Sequence, residues 1–144
     1  MRYFPHIVLN ATTILAITGF VYYFFAPLNW GAGEYIMHFH LWFGIVFMLY
    51  FAFNILKHVK TNINKITNPA FKYVAYTLLT LFSLTLLSGF LHFIPYVSYF
   101  SKPLYYRFET YDLFSTIHLI CAISSIILLA MHLIISPKEK NEAI

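Results

Sequence analysis

The sequence predicts an all-α integral membrane protein, a four-transmembrane-helix bundle forming one membrane domain over residues 1–144, with both termini cytoplasmic. Three observations predict it. Of the 144 residues, 60% are hydrophobic and only 10% are charged, more apolar surface than a soluble domain of this length can hide. Four apolar segments, about 6–26, 35–56, 72–94 and 112–135, each approach the roughly 20 residues that a spanning helix needs. None of them alternates polar and apolar residues like a barrel strand, and a backbone in lipid must satisfy its own hydrogen bonds, so the segments are helices.

Charge sets the orientation. Arg2 precedes the first segment, Lys57, Lys60, Lys65 and Lys72 flank the gap between the second and third, and Lys138 and Lys140 lie in the tail. The opposite side carries Glu34, Lys102, Arg107, Glu109 and Asp112. The lysine and arginine excess therefore belongs to the cytoplasm, and the bacterial inner membrane is the expected location. The net charge of +4 reflects this loop bias; no basic stripe with interleaved aromatics points to nucleic acid. The single cysteine, Cys121, lies mid-segment and excludes an intramolecular disulfide.

Segment 1 starts at His6, carries Thr18-Gly19 two-thirds of the way across, and exits through Pro27, Asn29, Trp30 and Gly31. It is too long, and too polar at its start, for a cleaved secretory signal. Segment 2 holds His38 and His40, which point about 200° apart on a helix, so one of them faces the bundle. His40 is deeper, and Gly44 one turn on leaves room beside the backbone for a flat ring. His58 ends the segment between Lys57 and Lys60, as part of an interfacial basic cluster or as a rival ligand. Segment 3 closes on Ser88-Gly89 with His92 one turn later, in a hydrogen-bonding or interfacial place ahead of a ligand role. Segment 4 carries His118 and His132, fourteen residues apart. That spacing is roughly 21 Å along the axis and within about 40° of one face.

An ionisable side chain inside a membrane is costly and marks a functional position. His40 and His118 lie one to two turns inside the outer edge, and His6 and His132 lie near the cytoplasmic edge. The four make two pairs at two levels, the pattern that two haems stacked across a bilayer require. Bis-histidine ligation takes two neutral imidazoles on opposite sides of the ring, and no CxxCH sequence is present for covalent attachment. Small residues let a helix or a porphyrin come close, which assigns Gly19, Gly44 and Gly89 to haem packing. Arg2 and Arg107, one at each face, are candidate partners for haem propionates. A non-redox membrane anchor or assembly subunit, with histidines as packing groups, is the competing expectation. A metal or haem transporter would need a hydrated path with acidic residues, which the segments lack.

The chain resembles the cytochrome b subunits of membrane-bound formate dehydrogenase and nickel–iron hydrogenase over about residues 2–135. The features shared are His6 with Thr18-Gly19, His40-x-x-x-Gly44, Lys57-His58, the loop Asn68-Pro-Ala-Phe-Lys72 before the third helix, Ser88-Gly89, and His118 with His132. The resemblance implies four helices with cytoplasmic termini, two haem b groups, and a menaquinone or ubiquinone site beside the cytoplasmic haem. It implies Asn68 and Lys72 as quinone contacts, with Phe71 standing where that family has Gln and Ala70 where it has Gly. It further implies an iron–sulfur or cytochrome partner subunit. On this basis the chain is an electron-transfer subunit of a quinone-linked oxidoreductase, without a complete primary-substrate site of its own.

Overall fold

The computed structural model describes residues 4–62, 68–97 and 107–142. The described chain is helical: α1 (Phe4–Phe25), α2 (Trp30–Asn62), α3 (Pro69–Val97) and α4 (Phe108–Glu142). All four are long and apolar enough to cross a membrane. Each helix begins before the apolar segment that announced it, and α2, α3 and α4 also run past its end. Hydropathy marks only the part suited to lipid, whereas the backbone ladder continues into polar residues such as Lys57, Lys60 and Asn62. Large apolar side chains face outward along the helices, among them Ile17, Val46, Phe53, Ile127 and Ile134, as a lipid-facing surface requires.

The chain divides into two compact units, Met1–His58 and Val59–Ile144. In the first, α1 and the body of α2 form an antiparallel hairpin. Asn29 caps α2: its side-chain oxygen accepts from the Ala32 N–H at 3.1 Å and its carbonyl from the Gly33 N–H at 2.9 Å. The turn is tight at Gly33, where a Cβ would meet the Ala26 Cβ at 2.6 Å and its Cα at 2.8 Å. Further along the pair, a Cβ on Gly44 would meet Leu15 Cδ2 at 3.7 Å, an ordinary contact. Val8 and Ala11 on α1, and Phe47 and Phe51 on α2, are buried.

The second unit holds α3 packed along α4, again antiparallel. Asn68 caps α3, its Oδ1 accepting from the Ala70 and Phe71 N–H groups at 2.9 and 3.4 Å. Pro69 takes the first helical position, where a missing N–H costs nothing. The Arg107 carbonyl accepts from the Thr110 and Tyr111 N–H groups to start α4, and Glu109 in its first turn complements the helix dipole. On α4 the buried residues Cys121, Ser125 and Leu129 fall at helical spacing between His118 and His132. The two histidines therefore lie on the side of α4 that carries its buried residues.

Candidate functional site

Each unit contains one histidine held over a glycine by the hydroxyl residue that precedes that glycine. In the first, Thr18 Oγ1 lies 2.9 Å from His40 Nδ1, and a Cβ on Gly19 would come 3.2 Å from His40 Cε1. In the second, Ser88 Oγ lies 3.3 Å from His118 Nδ1, and a Cβ on Gly89 would come 3.0 Å from His118 Cε1. Thr18-Gly19 and Ser88-Gly89 thus perform the same task in different hairpins: the glycine clears space for an imidazole and the hydroxyl meets its Nδ1.

Proton counting fixes the donor at His118. A hydroxyl has one proton. That of Ser88 is directed to the Leu84 carbonyl at 2.7 Å, whereas that of Thr18 has the Ile14 carbonyl and His40 Nδ1 both at 2.9 Å. The Ser88 lone pairs then accept from the imidazole, so His118 carries the proton on Nδ1. His118 has a second acceptor that admits no other assignment, the Thr85 carbonyl at 3.0 Å. In a neutral imidazole with Nδ1–H, Nε2 bears the lone pair. A metal-ligating histidine shows this arrangement, with one nitrogen donating to a protein acceptor that sets the ring's tautomer and plane, and the other directed to the metal.

The remaining sequence-predicted residues fall as follows. His132 stacks on Phe71, with ring centroids 4.6 Å apart and planes at 21°, and Phe71 is buried. His6 is exposed in the first turns of α1, and His58 is half-buried near the end of α2. His38 pairs with Glu34 one turn earlier at 3.6 Å and does not share the face of His40. Gly44 meets Leu15 and no imidazole. Asn68 is a helix cap, Lys72 and Arg107 are exposed, and Arg2 lies outside the described residues.

Two features were not legible in the sequence. His92 Nδ1 donates to the Ser88 carbonyl at 2.8 Å, and its ring stands 6.1 Å from that of His118 and edge-on to Tyr111 at 4.8 Å. Ser88 thereby serves two histidines, one through its hydroxyl and one through its carbonyl. The second feature is the Phe71–His132 stack. Only the placement of a Ser or Thr directly before a helical Gly gave a local hint of either hydroxyl contact.

Taken singly, His118 has the chemistry that a haem ligand needs, and His40 sits in the matching place in the other unit. Among the described residues no three His, Cys, Asp or Glu side chains converge as a bare metal ion would need. A haem brings four nitrogens of its own and asks the protein for single neutral imidazoles in apolar surroundings. His40 and His118 are imidazoles of that kind, on helices apolar enough to span a membrane. No protein-family model, curated protein or solved structure matches this chain.

Proposed function

We propose that this protein is a membrane electron-transfer subunit binding two b-type haems, with His40 and His118 as axial ligands of one and His6 and His132 of the other. The observation that carries the proposal is the shared lock on His40 and His118, in which Nδ1 meets the Thr18 hydroxyl in one hairpin and donates to Ser88 and Thr85 in the other. A haem b held by two imidazoles would supply one-electron transfer chemistry.

The protein's own groups do the positioning. Ser88 and the Thr85 carbonyl accept from His118 Nδ1–H and the Thr18 hydroxyl meets His40 Nδ1, contacts that orient each ring and would make its Nε2 a more basic ligand for a haem iron. Gly19 and Gly89 let each imidazole approach the neighbouring helix. Phe71 holds one face of the His132 ring. The apolar helix surfaces exclude water from the ligands. Electrons pass between a quinone pool and a redox partner subunit, an iron–sulfur or cytochrome protein, across the bacterial inner membrane with both termini cytoplasmic.

The test is a reduced-minus-oxidised visible spectrum of the purified protein, expressed with ample haem, together with a pyridine haemochrome count. Two b haems per chain are expected, His118→Ala losing one and His132→Ala the other. A colourless protein, or a haem count unchanged in both variants, overturns the proposal and favours a non-redox anchor.

A further inference from the structure

We infer that a hydroquinone headgroup binds at His92, where α3 ends and α4 begins, and not at Asn68 and Lys72. The inference rests on the electron-transfer function proposed above and names where that function takes its reduced substrate.

The Asn68 end of the unit is built for other purposes. The Asn68 Oδ1 is engaged by the first N–H groups of α3. Phe71, only 6% exposed, fills the place beside His132 with a phenyl ring that offers a quinone oxygen no hydrogen bond. The Lys72 side chain is exposed.

The opposite end offers an acceptor. A carbonyl can only accept, so the 2.8 Å contact with the Ser88 oxygen puts the His92 proton on Nδ1. The lone pair is then on Nε2, and His92 makes no further hydrogen bond among the described residues. Its ring is half-buried on an apolar helix, with the Tyr111 ring, itself 44% exposed, set against it at 69°. A planar aromatic ring can lie against Tyr111 while its substituent reaches Nε2.

Donor and acceptor chemistry select the ligand. Nε2 accepts, so it takes the O–H of a hydroquinone and not the bare carbonyl of a quinone. Position gives the function: His92 stands 6.1 Å from His118, ring to ring, and Ser88 hydrogen-bonds both. A hydroquinone on His92 therefore lies beside a proposed iron ligand. With the proposed haems bound as oxidant, its conversion to the quinone would release two electrons to them and two protons to water.

The haem-loaded full chain in detergent is mixed anaerobically with duroquinol, and haem reduction is followed at increasing duroquinol concentration. His92→Phe keeps a ring and removes the acceptor. It should raise the half-saturating concentration about tenfold, the worth of one hydrogen bond of ~1.4 kcal/mol. His92→Gln, which places an amide oxygen near the Nε2 position, should stay within about threefold of the native chain, and Asn68→Ala and Lys72→Ala within about twofold. An unchanged value in His92→Phe overturns the site, as does a shift confined to the Asn68 or Lys72 variants. Loss of haem from His92→Phe also overturns it, by assigning His92 to cofactor retention. If the native chain binds no haem, the electron-transfer proposal fails separately. Equilibrium dialysis of duroquinol against native and His92→Phe protein then decides the site alone, with weaker binding by the variant expected and equal binding refuting it.

Discussion

Replacing Gly89 by alanine should displace the His118 ring by a calculable amount. The added Cβ would lie 3.0 Å from His118 Cε1 and 3.2 Å from Nδ1, whereas ordinary contact begins at 3.4 Å. The ring must retreat from α3 by about 0.4 Å to relieve the overlap. Both Nδ1 acceptors are on α3, so the retreat lengthens both hydrogen bonds. The 3.0 Å bond to the Thr85 carbonyl weakens, and the 3.3 Å contact with Ser88 passes out of range. The loss amounts to roughly 1–2 kcal/mol. At Gly19 the nearest imidazole atom is 3.2 Å away, so the same substitution costs less, and at Gly44 the 3.7 Å approach to Leu15 costs nothing. All three substitutions gain about the same helix propensity, roughly 1 kcal/mol, so differences among them isolate the imidazole contact. Unfolding midpoints in detergent should fall in the order Gly44→Ala, Gly19→Ala, Gly89→Ala, the last being lowest. Nitrogen-15 spectra of labelled histidine should show a reduced Nδ1–H population for His118 in Gly89→Ala. A Gly89→Ala protein as stable as Gly44→Ala, with its His118 tautomer unchanged, would refute the packing argument.

Thr18→Val keeps the shape of the side chain but removes the hydroxyl 2.9 Å from His40 Nδ1, and should cost about 1–3 kcal/mol in unfolding free energy. Ser88→Ala should cost less, because the Thr85 carbonyl still accepts from His118; equal losses in the two variants would contradict the assigned roles. Gly33→Val drives a side chain into the Ala26 Cα and Cβ at 2.8 and 2.6 Å, and should destabilise the first hairpin by about 1–3 kcal/mol or more. Gly31→Ala, whose Cβ would meet Asn29 Oδ1 at 3.8 Å, is the control and should be no less stable than the native protein.

The four helices were legible because lipid imposes a length and a composition on every span. Their ends were not, because a helix carries on past the lipid for as long as caps and side chains permit, and Lys57 to Asn62 extend α2 without an apolar signal. The histidines stood out by their cost in an apolar segment, and the Thr18-Gly19 and Ser88-Gly89 pairs by their small size. The use of the hydroxyls was hidden, because it depends on which imidazole the facing helix presents at that level. Asn68 shows the converse. Besides the quinone contact that the resemblance implies for it, an asparagine directly before a proline at the first helical position is a local capping signal, and that role is seen. Gly33 gave no signal at all, since its necessity comes from Ala26 across a turn. His92 was legible as a hydrogen-bonding residue but not as a neighbour of His118, a relation set by the register of α4 along α3.

Both histidine locks are short-range along the chain. Thr18 and His40 are 22 residues apart, and Ser88 and His118 are 30 apart. Contacts of low sequence separation close with little loop entropy and form early. During synthesis the first imidazole is therefore oriented while the second hairpin is still being made, and the second is oriented as soon as α4 has emerged. Neither step waits for a cofactor. On the proposed function, haem capture would then fall to rings already oriented, with the entropy of ordering those side chains spent before the ligand arrives.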